Sequence, residues 1–376
     1  MPTSRTPPSS QGSKSDPVSQ RSAGAVRRIP PAVSVNSPLD PESEVSSPRS
    51  HWHHAETASL TESVTNYPER WGRTYHRFHE GSYLYPNDAP EIERLNNQHI
   101  IFDRYFDGKL FWSPLQANTT TDVLDLGTGT GYWPIELSDS GKLPKAKITG
   151  IDLSSIQPTE VPENVFFEIQ DCSETDWSRD EDSFDLIHAR FLAGSLASYQ
   201  EVIETSRKYL KPGSGWVELH EIDPTPLCDD SSMPEDWAFK KWEEGLHFAA
   251  EEKLDPPRSI RVGGRLKGWL QEAGYVDLQQ MVYKVPLSGW PRDATLKWVG
   301  RHYRDNWVEG LAGFSYKLYG LDGLNWSRDE VEVRLAEVRK ALMDSSVHAY
   351  LHYWVVYGRK PNEREEKRLR RAGWAS

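Results

Sequence analysis

Residues 121–133 of the chain read TDVLDLGTGTGYW, and they carry the clearest structural signal in the sequence. The apolar run at 123–126 predicts a short buried strand, and the residues after the glycines predict the first turn of a helix. Gly127, Gly129 and Gly131 stand at alternate positions between the two. Because glycine has no Cβ, such a turn lets backbone N–H groups approach a ligand closely. The stretch therefore predicts a ligand site; a tight turn without a ligand is the alternative.

The spacing of the glycines indicates the class of ligand. A dinucleotide fingerprint needs Gly-x-Gly-x-x-Gly, but Tyr132 occupies the position of its third glycine. Asp125 precedes the turn, where a carboxylate would repel a pyrophosphate but can hold the cationic amino group of an amino-acid-like ligand. Asp152 ends the next predicted strand and can accept hydrogen bonds from both hydroxyls of a ribose. A ribose, a positive charge and no phosphate suggest S-adenosylmethionine; an NAD-dependent oxidoreductase is the weaker alternative.

Beyond this turn the sequence alternates predicted strands with predicted helices, which indicates a parallel sheet covered by helices on both faces. The predicted strands are residues 122–126, 147–152, 164–169, 184–188, 215–222, 275–285 and 349–357. The segment at 286–345 is rich in aromatic residues and stands where a short hairpin is usual, so it predicts an inserted helical cap. The predicted fold class is α/β, with a Rossmann-like, doubly wound, mostly parallel seven-stranded sheet.

Composition indicates the domain organisation. Residues 1–60 are rich in Ser and Pro and poor in large apolar residues, so we predict a disordered tail that cannot offset its ordering entropy by burial. Residues 66–376 are predicted to fold as one domain. Its predicted parts are a lid segment at 66–115, a cofactor-binding core at 121–228, and a helical substrate cap at 229–274 and 286–345. In the lid segment, the apolar period at 91–106 predicts an amphipathic helix with Pro90 at its start.

Charge and cysteine content limit the partners. The formal net charge of −12 opposes a nucleic-acid-binding surface, which needs clustered Lys and Arg. Cys172 and Cys228 are the two cysteines, and the sequence begins with no recognisable signal peptide, which fits a reducing compartment. No apolar run approaches the roughly 18–20 residues of a membrane span. We expect a cytoplasmic or nuclear protein without a membrane or direct nucleic-acid partner.

Polar residues at other strand ends extend the candidate site. Asp171 ends the third predicted strand, where it can accept a hydrogen bond from an adenine amino group, and the backbone of Cys172 can reach a ring nitrogen. A simple turn residue is the alternative for Asp171. The carboxyl end of the fourth strand faces the crevice where doubly wound sheets bind ligands. His188 can therefore contact the methionine portion or the substrate, although an isolated histidine is more often structural.

The fifth predicted strand carries the remaining candidates. Side chains alternate along a strand, so Glu221 or Asp223 should face the cleft, and alternation alone does not distinguish them. A general base is needed only for a protonated acceptor such as a phenol or an alcohol. His188, His220 and Glu221 are the candidate catalytic residues, and the sequence predicts no metal site.

Several blocks of the sequence resemble the fungal LaeA-like methyltransferases. They are GRTYH at 72–76, GIDLSSIQP at 150–158, DLIH at 185–188, WVE at 216–218, EID at 221–223, CDD at 228–230 and RKP at 359–361. The resemblance covers roughly residues 70–360 and implies a class I, Rossmann-like fold that uses S-adenosylmethionine. The resemblance implies that six residues bind the donor: Asp125, Gly127, Gly129, Gly131, Asp152 and Asp171. Two departures are Thr128, where many members have Cys, and Ser214, which interrupts a Pro-Gly-Gly-Trp turn.

The resemblance also implies a role in secondary metabolism. In enzymes of this fold the segment before the first strand often closes over the donor, so Tyr75 and His76 are candidates for contact with cofactor or substrate. One hypothesis is a tailoring enzyme whose cap holds a small aromatic or polyketide-like acceptor. The alternative is a nuclear regulator that acts as a subunit with velvet-type proteins, which bind the cap or the N-terminal segment. The sequence does not distinguish the two, and it leaves the acceptor atom open.

Overall fold

The computed structural model describes residues 67–76, 83–320, 322–371 and 373; the predicted tail at 1–60 and the lid residues 77–82 lie outside them. Its strands are β1 (Glu69–Arg70), β2 (Arg73–Thr74), β3 (Asp122–Leu126), β4 (Lys147–Asp152), β5 (Val165–Ile169), β6 (Leu186–Arg190), β7 (Trp216–Leu227), β8 (Val276–Pro286) and β9 (Tyr350–Arg359). Its helices are α1 (Ala89–Tyr105), α2 (Tyr132–Asp139), α3 (Tyr199–Tyr209), α4 (Ala238–Glu252), α5 (Leu266–Glu272), α6 (Ala294–Tyr319), α7 (Arg328–Met343) and α8 (Glu363–Arg371). Within these residues, no helix is both long enough and apolar enough to span a bilayer.

The strands from β3 to β9 form one sheet, in the order β5-β4-β3-β6-β7-β9-β8. β3 pairs in parallel with β4 on one side and with β6 on the other, and β9 runs antiparallel between β7 and β8. The strand order therefore reverses beside β3, where doubly wound sheets bind ligands at the carboxyl ends of their strands. The predicted fold class, a mostly parallel seven-stranded sheet with a helical cap before its last strand, is confirmed.

Local sequence accounts for the elements around the crevice. Val123, Leu124 and Leu126 of β3 are fully buried, as expected for a parallel strand covered by helices on both faces. α1 begins where the Asp88 side chain accepts a hydrogen bond from the N–H of Glu91, and a proline in the first turn needs no hydrogen-bond partner. The predicted lid helix therefore exists, and it lies in the chain directly before the loop that leads to β3.

The fourth sheet strand begins two residues later than the predicted start at 184. Phe184 makes only an isolated bridge to Leu210, and the Asp185 carboxylate accepts hydrogen bonds from the backbone N–H groups of Thr121 and Asp122, at 2.7 and 3.1 Å. These contacts join the residues before β6 to the start of β3. β6 ends at Arg190.

The second segment of the predicted cap, 286–345, contains α6 and α7, which separate β8 from β9, and its first segment, 229–274, contains α4 and α5. Part of the aromatic content of the second segment forms a core shared with α4. The indole N–H of Trp242 donates to Ser315 at 2.9 Å, and the Tyr319 hydroxyl donates to the carbonyl of Trp242 at 2.7 Å. Both bonds are buried, so this part of the cap is held in place independently of any ligand.

A matched pair of glycine variants tests how tightly α6 packs against the end of β8. A Cβ on Gly300 would lie 2.0 Å from the carbonyl oxygen of Ser288, whereas a Cβ on Gly268 of α5 would meet nothing within 4 Å. Gly300→Ala is expected to lower the free energy of unfolding by about 1–3 kcal/mol through overpacking. Gly268→Ala is expected to raise it by about 0.5–1 kcal/mol through helix propensity. Urea unfolding measures both; equal stability of the two variants would contradict this packing.

Candidate active site

The turn between β3 and α2 is a backbone cradle. Gly127, Gly129 and Gly131 adopt φ angles of +62°, +56° and +77°, the left-handed region that favours glycine. A Cβ on Gly131 would lie 2.4 Å from the ring of Phe167, so the turn packs tightly on its sheet side. A Cβ on Gly129 would meet nothing closer than Leu95, at 3.9 Å. The turn therefore leaves space beside Gly129, as a ligand-binding turn requires.

Two cavities lie at this turn, and a third adjoins them. The turn cavity, of about 100 Å³, lies over the glycines and is lined on its far side by Asp125, His188 and Arg190. The edge cavity, of about 90 Å³, continues it past the end of β4 toward Asp171, Cys172 and Arg258. The aromatic cavity, of about 130 Å³, lies under the cap. Tyr83 lines all three.

Asp152 forms the junction of the turn and edge cavities. Its two carboxylate oxygens accept hydrogen bonds from the backbone N–H groups of Gly129, at 2.8 Å, and Ser154, at 2.9 Å. Burial raises the pKa of this carboxyl to about 6 despite these bonds. The side chain thus fixes the glycine turn while it borders both cavities.

The edge cavity contains the other two predicted residues of the nucleoside end. The Asp171 carboxylate is buried and accepts hydrogen bonds from the N–H and hydroxyl of Ser173, at 2.8 and 2.6 Å. Cys172 lies beside it, and burial raises the pKa of its thiol far above the usual range. A thiol that stays protonated is a poor nucleophile, so Cys172 is suited to a backbone role.

Asp125 and His188 form a buried pair in the turn cavity. His188 Nδ1 lies 2.7 Å from one Asp125 oxygen, and the other oxygen accepts a hydrogen bond from the Thr128 hydroxyl at 2.7 Å. Burial raises the pKa of Asp125 to about 7 and lowers the pKa of His188 well below its usual value. The His188 ring stacks on Trp133 with 3.8 Å between centroids. Its Nε2 atom is buried without a hydrogen-bond partner in the described part of the chain.

His220 lies deeper in the sheet. Its Nε2 atom is 2.8 Å from a Glu218 carboxylate oxygen and its Nδ1 atom is 3.0 Å from the Tyr353 hydroxyl. Glu218 also accepts hydrogen bonds from the backbone N–H groups of Trp112 and Ser113, at 2.8 and 2.6 Å. His220 lines none of the three cavities, so the structure does not bring this predicted catalytic residue to them.

The aromatic cavity combines an apolar wall with a few fixed polar groups. Its aromatic lining consists of Tyr83, Tyr85, Phe191, Tyr303, Trp307 and Phe314. The guanidinium of Arg94 also lines it, but this cation is paired in a bidentate manner with Glu91, at 3.0 and 2.6 Å. Arg94 also donates to Gln98 at 2.6 Å and to Asn306 at 3.2 Å, which ties α1 to α6. Such a wall suits a mostly apolar, flat molecule with few polar groups.

Glu221 is the acid of β7 that lines the aromatic cavity; Asp223 instead accepts a hydrogen bond from the N–H of Gly263 at 3.0 Å. One Glu221 oxygen, Oε1, accepts three hydrogen bonds, which come from Leu192 N at 2.7 Å, Ala193 N at 3.1 Å and the Tyr199 hydroxyl at 2.9 Å. Oε2 accepts none from any residue that the structure describes. Burial raises the pKa of this carboxyl to about 8. Oε2 of Glu221 is therefore available to a molecule in the cavity, and the carboxyl gains or loses its proton close to neutral pH.

The lid residues fall in different places. Tyr75 is buried, with the ammonium of Lys317 4.5 Å from its ring centroid, and it lines a separate recess with His76 and Asp322. Tyr83, from the same aromatic stretch of sequence, lines the cavities instead. Arg190 was the other residue that sequence reasoning missed. Its signal was available, because Arg190 follows His188 by two residues and so points to the same face of the strand.

The geometry fits a ligand with a nucleoside end and an amino-acid end, as expected for S-adenosylmethionine. Asp152 at the end of β4 and Asp171 just beyond β5 both line the edge cavity. At the other end of the glycine turn, the buried carboxyl of Asp125 lines the turn cavity. The open side of Gly129 lies between the two ends.

Comparisons with known proteins show the family of the chain. A family model described as a methyltransferase domain matches residues 97–280. The methyltransferase pytC of Aspergillus terreus is 36% identical over 307 residues, which cover 81% of this chain and 91% of that protein. The secondary metabolism regulator LAE1 of Cochliobolus heterostrophus is 36% identical over 307 residues, covering 80% and 96%. Among solved structures, phosphoethanolamine N-methyltransferase 2 of Haemonchus contortus with S-adenosyl-L-methionine has a TM-score of 0.44 at 15% identity, covering 77% and 62%.

Proposed function

The chain belongs to the family of fungal methyltransferases that includes pytC and the LAE1 and laeA proteins, and from this membership we propose that it methylates a small-molecule acceptor in the aromatic cavity. Its cofactor is S-adenosylmethionine, which when bound supplies an electrophilic methyl group on a positively charged sulfur. A methyltransferase must hold this donor and the acceptor in adjoining sites. The proposal assigns the turn and edge cavities to the donor and the aromatic cavity to the acceptor.

Four residues support this division. Tyr83, Leu95, Gln98 and Phe191 line both the turn cavity and the aromatic cavity, so the two spaces share one wall. This shared wall is the observation that carries the proposal, because methyl transfer needs donor and acceptor in line with little water between them. Phe191 has a φ of +62°, a strained value for a residue other than glycine. Strain of this kind is concentrated at functional sites.

Each donor-binding residue has a proposed role. Asp152 accepts hydrogen bonds from the ribose hydroxyls, while Asp171 and the backbone of Cys172 hold the adenine. Asp125 faces the amino group, and the glycine turn lies along the donor between them. His188 keeps the Asp125 carboxylate in place through the 2.7 Å contact and is not needed as a base. His220 acts further away, by positioning Glu218 and the loop that Glu218 holds.

Glu221 is the proposed general base. The hydroxyl of a phenol or enol acceptor donates to Glu221 Oε2, and its proton moves to that oxygen as the acceptor oxygen bonds to the methyl carbon. The bond between this carbon and sulfur breaks, and its electron pair stays on sulfur. The three hydrogen bonds to Oε1 hold the carboxylate in position throughout. A base with a pKa near the working pH is the most effective choice for such a transfer.

The direct test supplies donor with a labelled methyl group and a panel of phenolic, enolic and amine acceptors of low molecular mass. We expect label in phenolic or enolic products, detected by mass spectrometry. Calorimetry with S-adenosylhomocysteine, and with NADH as the control, establishes that the protein used is folded and binds its donor. Donor binding without methylation of any acceptor, including the small molecules of the source organism, would rule out this function.

A second candidate function is a regulator of secondary metabolism that acts in the nucleus with a velvet-type protein partner. The relative LAE1, which carries the name of a regulator and is as similar to this chain as pytC is, favours this candidate. The two candidates differ in their need for the acceptor site. A regulator that works as a subunit keeps its cellular effect when Glu221 is replaced by Gln, and it is recovered in a stable protein complex.

A further inference from the structure

Arg190 lines the turn cavity, yet the roles above leave it unused. We propose that Arg190 binds the carboxylate of the donor's amino-acid end, while Asp125 binds the neighbouring ammonium, so that the cavity recognises a zwitterion. This inference rests on the proposed function, because it concerns the same donor. It adds a positioning residue and a specificity rule: the cavity selects ligands that carry the complete amino acid.

The hydrogen bonds around Arg190 fix its direction. One of its terminal nitrogens, Nη2, donates to His99 Nδ1 at 2.8 Å. A guanidinium has no acceptor atom, so Nδ1 must be the unprotonated nitrogen of the imidazole. The proton of neutral His99 is then on Nε2, which donates to the carboxylate of Glu136. Burial lowers the pKa of His99, in keeping with a neutral ring. Glu136 and His99 thus form a relay that orients the guanidinium.

The rest of the guanidinium is available. Within the described residues, Arg190 has no carboxylate within 4 Å, and its Nε and Nη1 atoms donate no hydrogen bond. These nitrogens are also not among the atoms that are fully buried without a partner, so they remain accessible. Taking an unpaired charge out of water is costly, so a cation that a bound ligand would cover needs an anionic partner. Arg190 is therefore an oriented cation on the wall of the turn cavity with no carboxylate in contact among the described residues, and an anionic group of the ligand would supply that partner.

Asp125 and Arg190 are placed for the two charges of one amino acid. In the sheet, Asp125 pairs with His188 of the neighbouring strand, and Arg190 lies two residues further along, about 7 Å away along the strand. The Asp125 oxygens contact His188 and Thr128, and the described residues show no contact ion pair between Asp125 and Arg190, although the Arg190 charge favours the ionised form of Asp125. An α-amino acid bound between them would place its ammonium beside Asp125 and its carboxylate beside Arg190. The planar guanidinium of arginine can donate two parallel hydrogen bonds to a carboxylate.

The test compares ligands that differ in one group. S-adenosylmethionine carries both charges of the amino acid, and its decarboxylated form lacks only the carboxylate. By calorimetry, Arg190→Met is expected to weaken binding of S-adenosylmethionine by about 10- to 100-fold, the usual range for a charged hydrogen bond, and to change the affinity for the decarboxylated form by less than about twofold. Arg292→Met, at an exposed position outside the cavities, should bind both ligands like the wild type.

A second pair of variants tests the relay. His99→Leu removes the acceptor for Arg190 and should reproduce part of the carboxylate-specific loss, whereas His99→Gln keeps an acceptor oxygen and should restore much of it. Equal losses for both ligands in Arg190→Met, or no loss for either, would overturn the inference while leaving the methyltransferase function intact. If the wild type binds neither ligand, the proposed function fails, and this inference fails with it.

Discussion

Glu221→Gln is expected to lower kcat by about 10²- to 10⁴-fold, the usual contribution of a general base. Glutamine keeps an oxygen for Leu192 N, Ala193 N and the Tyr199 hydroxyl, so the site should retain its shape. It cannot take the acceptor's proton. In the wild type, the ascending limb of the pH–rate profile should have an apparent pKa of about 8, because the base acts only when ionised and its pKa is raised to about 8. This limb should be absent from the variant.

The same substitution should stabilise the protein. The pKa of Glu221 is raised from its ordinary value of 4.5 to about 8, so the folded state retains a proton that the unfolded state releases as pH rises between these values. The wild type therefore loses stability across this window, at up to about 1.4 kcal/mol per pH unit. Gln does not titrate. The stability gain of Glu221→Gln should thus be near zero at pH 4.5 and reach on the order of 3–5 kcal/mol at pH 8.

Urea unfolding at four pH values from 4.5 to 8, together with initial rates at each pH, measures both effects. Glu204→Gln is the matched control, because Glu204 is exposed on α3 and should change neither quantity. A variant that keeps kcat within about threefold of the wild type would show that Glu221 is not the base. Lower activity together with higher stability is the trade-off expected when a strained or buried charge serves catalysis.

Features that depend on neighbouring residues in the chain were predictable from the sequence. The glycine turn follows β3 directly and Asp152 is the last residue of β4, and a strand end in a doubly wound sheet has a known position relative to the ligand. The backbone angles of Gly127, Gly129 and Gly131 are the physical reason for the motif. Seven strands and a cap could also be read from alternating apolar patterns.

The acceptor side could not be predicted in this way, because it is assembled from distant segments. Arg94 of α1 and Asn306 of α6 are 212 residues apart in the chain, yet they are hydrogen-bonded on the wall of one cavity. No spacing rule connects them. The choice between Glu221 and Asp223 was undecided for the same reason, since it depends on the loop at 192–193 and on Gly263. Arg190 was not singled out for a similar reason, because its contact with His99 joins residues 91 positions apart in the chain.

Asp152→Asn is expected to weaken binding of S-adenosylhomocysteine by about 100- to 1,000-fold, the value of two hydrogen bonds to a charged group. The carboxylate accepts from Gly129 N and Ser154 N and, under the proposed function, from the two ribose hydroxyls. An amide has one acceptor oxygen, and its NH₂ group would face one of the backbone N–H groups. The glycine turn would then shift as the ribose contacts are lost. Calorimetric titration at pH 7.5 measures the effect.

Asp180→Asn provides the control for this experiment. Asp180 is an exposed aspartate between β5 and β6, so this variant should bind the ligand like the wild type. Circular dichroism should show the same secondary structure in both variants, since Asp152 holds a turn and not a core element. The nucleoside adenosine offers a second check: its affinity should fall with that of S-adenosylhomocysteine, because both carry the ribose. If Asp152→Asn binds S-adenosylhomocysteine within about threefold of the wild type, the ribose does not lie at the end of β4, and the proposed placement of the donor in the turn and edge cavities is wrong.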